Sequence, residues 1–205
     1  MSDLYTQMIT VFLGFFAIMN PIANTAAFAG LVGDKSKAEQ IKIAAKALVI
    51  TFIVILSFAL LGKAIFHLFG ITISALRITG GILVFLVGYH MLNGHTSKMH
   101  SAQEHDETDI AVSPLAVPLL AGPGTIATAM NYSSSGGVSG ILVTLSVFAV
   151  LCIITFFCFI FSSRILALIG KSGLDIVTRL MGLILAVIGM QMVIVGVTAV
   201  VKAMN

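Results

Sequence analysis

A proline between two glycines interrupts the longest uncharged stretch of this 205-residue chain. Residues 110–163 contain no Asp, Glu, Lys, Arg or His, yet Gly122-Pro123-Gly124-Thr125 lies within them. Proline lacks a backbone N–H donor, and glycine weakens a helix. In hydrocarbon a lost backbone hydrogen bond costs several kcal/mol, so such a break persists only against protein or a water-filled cavity. The pattern is typical of a substrate site in a transporter.

The composition is that of a polytopic membrane protein. Hydrophobic residues make up 59% of the chain and charged residues only 9%, with a mean hydropathy of +1.11. A soluble domain carries about 25% charged residues, so this chain cannot cover a water-facing surface. The net charge of +3 reflects membrane topology and indicates no nucleic-acid partner. Cys152 and Cys158 lie in an apolar run, which favours small buried side chains over a disulfide or a metal pair.

Charged residues mark the ends of six predicted transmembrane helices, each near the ~20 residues that a bilayer core requires. The first lies within residues 4–33, and we interpret it as a retained span because Asn20-Pro21 interrupts its apolar core. Ser74 is expected to cap the third helix. The other spans are predicted at residues 47–69, 74–92 and 110–130, after the turn 133–137 as far as Ser163, and at 176–201. The predicted connections are residues 34–46, the turn 133–137, and a loop with Arg164 and Lys171.

Residues 93–109 form the only sustained hydrophilic stretch and are predicted to be a linker. It separates a first three-helix repeat, residues 1–92, from a second one, residues 110–205. The linker contains His95, His100 and His105 among carboxylates, and their spacing favours a solvated loop over a metal site.

The two halves resemble each other when the chain is shifted by 102 residues. This offset aligns Pro21 with Pro123 and Arg77 with Arg179. Since each unit contains three spans, an odd number, consecutive copies must cross the membrane in opposite directions. We therefore predict an all-α membrane protein of six transmembrane helices, arranged as two inverted three-helix repeats in which helices 1 and 4 are broken.

The distribution of Lys and Arg predicts the orientation. Eight of the 11 lie on the side that holds the first, third and fifth connections: Lys35, Lys37, Lys42, Lys46, Lys98, Arg164, Lys171 and Arg179. The positive-inside rule then places the linker in the cytoplasm and both termini outside it.

The two breaks form the predicted substrate site. A helix that restarts after a break presents unpaired N–H groups, expected around Ala23 and Asn24 in the first helix and around Thr125 and Ile126 in the fourth. Two proline kinks that only shape packing are the alternative. The predicted substrate-binding residues are Asn20, Pro21, Ala23, Asn24, Thr25, Gly122, Pro123, Gly124, Thr125 and Thr128, with Asn131 nearby. Their polar side chains are small and uncharged, which suits a small solute with a carboxylate, such as an amino acid.

Two further patterns lie in the third and sixth helices. Arg77 and Arg179 begin these helices and are candidates to attract an anionic solute or to gate its access. Interfacial anchoring, or bonding to nearby carbonyls, is the favoured interpretation. Glycines recur every seven residues along one face and predict close helix packing: Gly81, Gly88, Gly182, Gly189 and Gly196.

All eight carboxylates fall in predicted tails, loops or helix ends: Asp3, Asp34, Glu39, Glu104, Asp106, Glu107, Asp109 and Asp175. A proton-coupled transporter usually carries an intramembrane carboxylate or a histidine relay, so coupling through a carboxylate is not expected. The sequence contains no nucleotide-binding loop and no catalytic constellation. We therefore expect neither an enzyme nor a bound cofactor or metal.

Four stretches of the chain resemble the MarC family of integral membrane proteins. They are Asn20-Pro21-Ile22, residues 70–81, the run 118–126 around Gly122-Pro123-Gly124, and Arg179-Leu180-Met181-Gly182-Leu183. The resemblance covers essentially the whole chain and implies a six-span protein of a bacterial or archaeal cell membrane, here the bacterial inner membrane. Some similar proteins are assigned as transporters of small neutral amino acids, including glycine and alanine. Ala23 replaces the glycine of the family's Asn-Pro-x-Gly pattern, a change expected to narrow or alter the pocket.

Together these patterns favour alternating-access transport of a small neutral amino acid, with the solute and the lipid bilayer as partners. The alternatives are an exporter of other small molecules and a non-transporting scaffold or regulatory protein that acts through its linker. The absence of acidic residues from the spans disfavours cation export. The sequence leaves the coupling ion, the direction of flux and the oligomeric state open, a homo-oligomer included.

Overall fold

The computed structural model describes residues 2–70, 72–93 and 111–204, so the predicted linker lies outside the described residues except for Asn93. In chain order the helices are α1 (Ser2–Met19), α2 (Pro21–Val32), α3 (Lys37–Phe69), α4 (Ile73–Leu92), α5 (Ala111–Leu120), α6 (Pro123–Ser135), α7 (Gly137–Ile160) and α8 (Ser162–Met204). No strand occurs among these residues, which confirms the predicted all-α class.

Five helical stretches of the described chain are long and apolar enough to cross a membrane: Leu4–Val32, Lys37–Gly62, Ile73–Leu92, Gly137–Ile160 and Ser172–Met204. The predicted fourth span is not among them because a break after α5 divides it into two short helices. Large apolar side chains lie exposed on the outer faces of the helices, with Ile53 at 53% and Val187 at 62%. Lipid covers such faces in an integral membrane protein.

Two helix starts differ from the prediction because side chains cap them elsewhere. α3 begins within the predicted connection 34–46, where Ser36 and Glu39 form a capping box. Ser36 N donates to Glu39 Oε2 at 2.9 Å, and Glu39 N donates to Ser36 Oγ at 3.3 Å. Thr72, rather than the predicted Ser74, caps α4, since its hydroxyl accepts an N–H of the first turn at 3.1 Å.

The predicted turn and loop in the second half are also shorter than expected. α6 continues to Ser135, and the predicted loop with Arg164 and Lys171 was wrong because both residues lie within α8. The backbone of that helix departs from helical geometry at Gly170, whose φ is 67°. A single glycine in the left-handed region therefore bends the chain where the charges had indicated a loop.

α5 is a π-helix, in which each N–H bonds to the carbonyl five residues earlier. At its end Ala121 N donates to Ala116 O at 2.8 Å. The sequence places Pro114 and Pro118 within this helix. Proline removes the i→i−4 bond and is disfavoured inside an α-helix, which agrees with the wider turn. π-helical turns are rare in proteins, but those that occur are often found at functional sites.

α1 and α6 run antiparallel and in contact. A Cβ atom built on Gly14 would lie 2.7 Å from Tyr132 Oη, and one built on Gly124 would lie 2.6 Å from Ile18 Cδ1. The contacts thus move forward along α1 while they move backward along α6. α7 runs parallel to α1: the rings of Phe15 and Phe148 are 4.9 Å apart, and Met19 Sδ lies 3.9 Å from the hydroxyl of Thr155.

α4 and α8 pack with their backbones in contact at glycines. A Cβ built on Gly81 would lie 2.6 Å from Gly189 O, and one on Gly88 would lie 2.5 Å from Gly182 O. Such distances leave no space for a side chain, so the predicted close packing through these glycines is confirmed. The order of the contacts also shows that the two helices are antiparallel.

Candidate functional site

Asn20 forms the break between α1 and α2. It has φ 37° and ψ 72° and is the one described non-glycine residue with a positive φ. Asparagine adopts this left-handed conformation more readily than most residues, because its short polar side chain bonds locally. Pro21 follows at the first helical position, where the missing N–H would have no partner within the helix. The Asn-Pro pair therefore encodes the break locally.

The N–H groups that follow the first break are already hydrogen-bonded, so the prediction of free donors there was wrong. Ala23 N donates to Asn20 Oδ1 at 3.2 Å, and Asn24 N donates to Asn20 O at 3.0 Å. The side chains of Asn24 and Thr25 also bond to backbone carbonyls. Asn24 Nδ2 donates to Met19 O at 2.6 Å, and Thr25 Oγ1 donates to the carbonyl four residues earlier at 2.7 Å. These predicted site residues thus stabilise the break itself.

One donor at the first break has no partner. The Nδ2 atom of Asn20 makes no hydrogen bond, although the residue is only 3% exposed. A buried polar group without a partner costs about 1–3 kcal/mol. Strained backbone residues cluster at functional sites, and a bound ligand or water is one explanation of a buried polar group without a protein partner. Asn20 Nδ2 is therefore a candidate ligand contact.

The second break lies between α5 and α6. Gly122 is extended, with φ −74° and ψ 168°, and gives the following helix no side-chain cap. Pro123 occupies the first turn of α6, as Pro21 does in α2. Ile126 N, which we expected to be unpaired, donates to Gly122 O at 3.0 Å. Thr125 lies in the uncapped first turn and is 3% exposed.

Ile18 and Gly124 bring the two breaks together. Ile18 precedes Asn20 by two residues, and its Cδ1 occupies the space where a Cβ of Gly124 would lie. Val84 of α4 closes the same contact, with its Cγ2 3.7 Å from that position. Because α1 and α6 are antiparallel, the end of α1 meets the start of α6. Thr128, one turn further along α6, is buried at 2% exposure.

The chemistry of this region is that of hydrogen-bond donors without charge. No Asp, Glu, Lys, Arg or His occurs in residues 4–33 or 110–163. Asn20 Nδ2 and the uncapped start of α6 can bind an acceptor oxygen, and a helix N-terminus favours a negatively charged one.

Sequence reasoning missed Ile18 and Val84, which lie at the contact between the two breaks. Ile18 and Val84 are apolar residues in apolar helices, and no sequence signal separates them from lipid-facing neighbours. Asn131 bonds to Arg77 of α4, whose Nε donates to Asn131 Oδ1 at 2.9 Å. Arg179, aligned with Arg77 by the repeat, is exposed. Thr51 and Thr144 also carry buried hydroxyls with no hydrogen-bond partner, which no motif indicates.

Comparison with known proteins identifies the family. The sequence profile described as "MarC family integral membrane protein" matches residues 5–201. The chain is 41% identical to the UPF0056 membrane protein YvbG of Bacillus subtilis over 93% of each chain. It is 32% identical to the UPF0056 inner membrane protein MarC of Salmonella paratyphi A, over 98% of this chain and 99% of that protein. No solved structure matches it significantly. The chain therefore belongs to the MarC family of integral membrane proteins.

Proposed function

We propose that this protein transports a small neutral amino acid, such as glycine or alanine, by alternating access at a site between the two helix breaks. The observation that carries the proposal is the unpaired, buried Nδ2 of Asn20 in a strained backbone, two residues after Ile18, whose side chain contacts the uncapped start of α6. Broken helices that present such donors are the usual form of a transporter site.

The donor set favours a carboxylate as the bound group. Asn20 Nδ2 and the first-turn N–H groups of α6 donate hydrogen bonds, and the positive end of a helix attracts an anion. The close approach of Ile18, Val84 and Gly124 favours a small substrate over a large one. Since the neighbouring spans carry no acidic residue to bind an ammonium group as an ion pair, backbone carbonyls would have to accept it.

Structural equivalences support two inverted repeats as the basis of transport. Pro21 and Pro123 each begin the second half of a broken helix. Gly70, with φ of 63°, lies just before α4, and Gly170, with φ of 67°, lies at the kink within α8. The antiparallel directions of α4 and α8 agree with halves of opposite orientation. In this arrangement α5 and α6 together form the fourth of six spans.

The proposal places the protein in the membrane with both termini outside the cytoplasm. The positive-inside rule carries this orientation, because the connection after α2 is lysine-rich. The C-terminal end of α6 would then face the outside and that of α2 the cytoplasm.

Uptake into proteoliposomes tests the proposal. We expect the wild-type protein to accumulate labelled glycine or alanine, and Asn20→Gly to reduce uptake at least about tenfold, as expected when one charge-assisted hydrogen bond is lost. Glycine keeps the left-handed backbone of the break, so this variant removes mainly the side chain. Gly30→Ala is the matched control, because a Cβ at this exposed position meets no atom within 4 Å.

Two results would contradict the proposal. The proposed substrate is wrong if the folded wild-type protein takes up neither glycine nor alanine and its melting temperature does not rise when they are added. An Asn20→Gly variant that transports at the wild-type rate would exclude Asn20 Nδ2 as the ligand contact.

A further inference from the structure

Three consecutive residues near the end of α6 contact three different helices. Met130 faces α3, where its Cε would lie 3.3 Å from a Cβ built on Gly62. Asn131 faces α4 and accepts the hydrogen bond from Arg77 Nε at 2.9 Å. Tyr132 faces α1. The end of α6 is thus joined to the surrounding helices at one level of the protein.

The contact of Tyr132 with α1 is close. Its ring meets that of Phe15 edge-on, with centroids 6.0 Å apart and planes at 61°. The hydroxyl of Tyr132 occupies space that a side chain at position 14 would fill: a Cβ built on Gly14 would lie 2.7 Å from it. This level lies about 10 Å along α6 from Gly124, given a rise of about 1.5 Å per residue.

In the described part of the first half, the positions equivalent to Asn131 and Tyr132 carry no side chains that could make these contacts. The repeat offset of 102 residues aligns Asn131 with Ala29 and Tyr132 with Gly30. Alanine has no side-chain hydrogen-bonding group, and Gly30 is exposed with open space around it. Arg179, the counterpart of Arg77, is exposed. The polar contacts of Arg77, Asn131 and Tyr132 are therefore particular to the end of α6, whereas α2 ends in apolar packing, with Phe28 stacked on Phe159 at 4.4 Å and Val32 1% exposed.

We propose that Arg77, Asn131 and Tyr132 form a gate that closes the solute pathway at the C-terminal end of α6. This inference rests on the proposed transport function and adds the side on which the site is closed and the residues that close it.

The neighbouring contacts suit a gate of this kind. α4 is held against α8 through the backbones of Gly81, Gly88, Gly182 and Gly189, so it offers Asn131 a rigid partner. α6 begins at an uncapped break, which can serve as a hinge. A hydrogen bond to a neutral amide leaves Arg77 without the stronger attraction that a carboxylate at position 131 would exert. The gate can therefore open without separating an ion pair between these two side chains.

Sided thiol labelling tests the gate without requiring transport. The reporter is Thr128→Cys, which lies between the gate and the breaks, in a background with Cys152→Ala and Cys158→Ala. An impermeant thiosulfonate reagent is added to each side of reconstituted vesicles in turn. A separate Ser139→Cys variant identifies the side of the α6 end, because Ser139 is exposed near the start of α7.

We expect Asn131→Ala and Arg77→Gln to raise the labelling rate of the reporter from the α6 side about tenfold, the effect of a shift of about 1.4 kcal/mol in the open–closed equilibrium. Arg179→Gln, the matched control at the equivalent arginine, should leave the rate unchanged. Asn131→Asp should lower it, since a carboxylate binds the guanidinium more strongly.

If Asn131→Ala leaves the labelling rate of the Thr128→Cys reporter unchanged, the gate proposal is wrong and these contacts only stabilise the fold. Because Asn131→Ala removes only the acceptor, this test holds even where Arg77→Gln fails to fold. If labelling changes as expected while no amino acid is taken up, the gate stands and the proposed solute fails. If uptake is observed but labelling does not respond, transport stands and the gate fails.

Discussion

The Cδ1 atom of Ile18 fills the space in front of Gly124, 2.6 Å from where a Cβ would lie. We expect Gly124→Ala to fall short of the gain of about 1 kcal/mol that alanine gives in a helix with open space around it, because Cδ1, the movable end of the Ile18 side chain, must shift to admit the new methyl group. Ile18→Val removes the obstructing methyl group. In that background the same substitution should be neutral or stabilising, as thermal unfolding in detergent would show.

The matched control for this pair is Gly30→Ala, which adds its methyl group to open space. The close approach of the two breaks would be contradicted if Gly124→Ala were as well tolerated as Gly30→Ala. A double-mutant cycle with Ile18→Val measures the coupling directly, since residues in contact deviate from additivity.

The strained backbone of Asn20 predicts an order of stability among variants. Alanine in the left-handed region costs about 1–2 kcal/mol, and losing the bond from Ala23 N to the side chain costs about 1 kcal/mol more. Glycine avoids the first cost. We therefore expect Asn20→Gly to unfold close to the wild-type temperature and Asn20→Ala several degrees below it. Equal melting temperatures for the two variants would exclude a left-handed residue at this break.

The positions of the breaks could be predicted because they depend on local chemistry. Asn20-Pro21 and Gly122-Pro123 stop a helix whatever surrounds them. The state of the N–H groups after the first break could not be predicted, because Asn20 caps Ala23 through a rotamer that the sequence does not specify. The contact between Ile18 and Gly124 depends on tertiary packing, which gives apolar residues no distinct pattern.

The glycine periodicity of α4 and α8 predicted their close packing correctly, whereas the charged residues predicted the helix ends at the wrong positions. A repeat of small residues reports directly on an interface, whereas a charge does not mark the end of a helix. Glu39 illustrates the second point, since it begins α3 as part of a capping box. Helices of this protein therefore extend beyond the apolar core that hydropathy detects.

Alanine substitutions along α8 should produce graded losses of stability. A Cβ on Gly189 would meet the backbone of α4 at Gly81 O and Phe85 N, and neither atom can move aside alone. A Cβ on Gly196 would first meet the side chain of Ile78, at 2.7 Å. We expect Gly189→Ala to lower the melting temperature more than Gly196→Ala, with an overpacking cost of about 1–3 kcal/mol. The reverse order would contradict the backbone contact between α4 and α8.

Buried threonines provide a test of hydrogen bonding within the core. Thr155 donates to Leu151 O at 2.8 Å, whereas the hydroxyl of Thr144 on the same helix has no partner, although both residues are fully buried. Valine has nearly the same shape as threonine but lacks the hydroxyl. Thr155→Val should cost about 0.5–1.5 kcal/mol, the usual net contribution of one hydrogen bond.

Thr144→Val should instead be neutral or stabilising by up to about 1 kcal/mol, because it removes a desolvated group that forms no bond. Chemical or thermal unfolding of the two variants, on the same helix and in the same detergent, measures the difference. A marked loss of stability in Thr144→Val would contradict an unpaired hydroxyl. Loss of uptake with unchanged stability would assign this oxygen to a bound water or ligand, since nothing else in the folded protein would then depend on it.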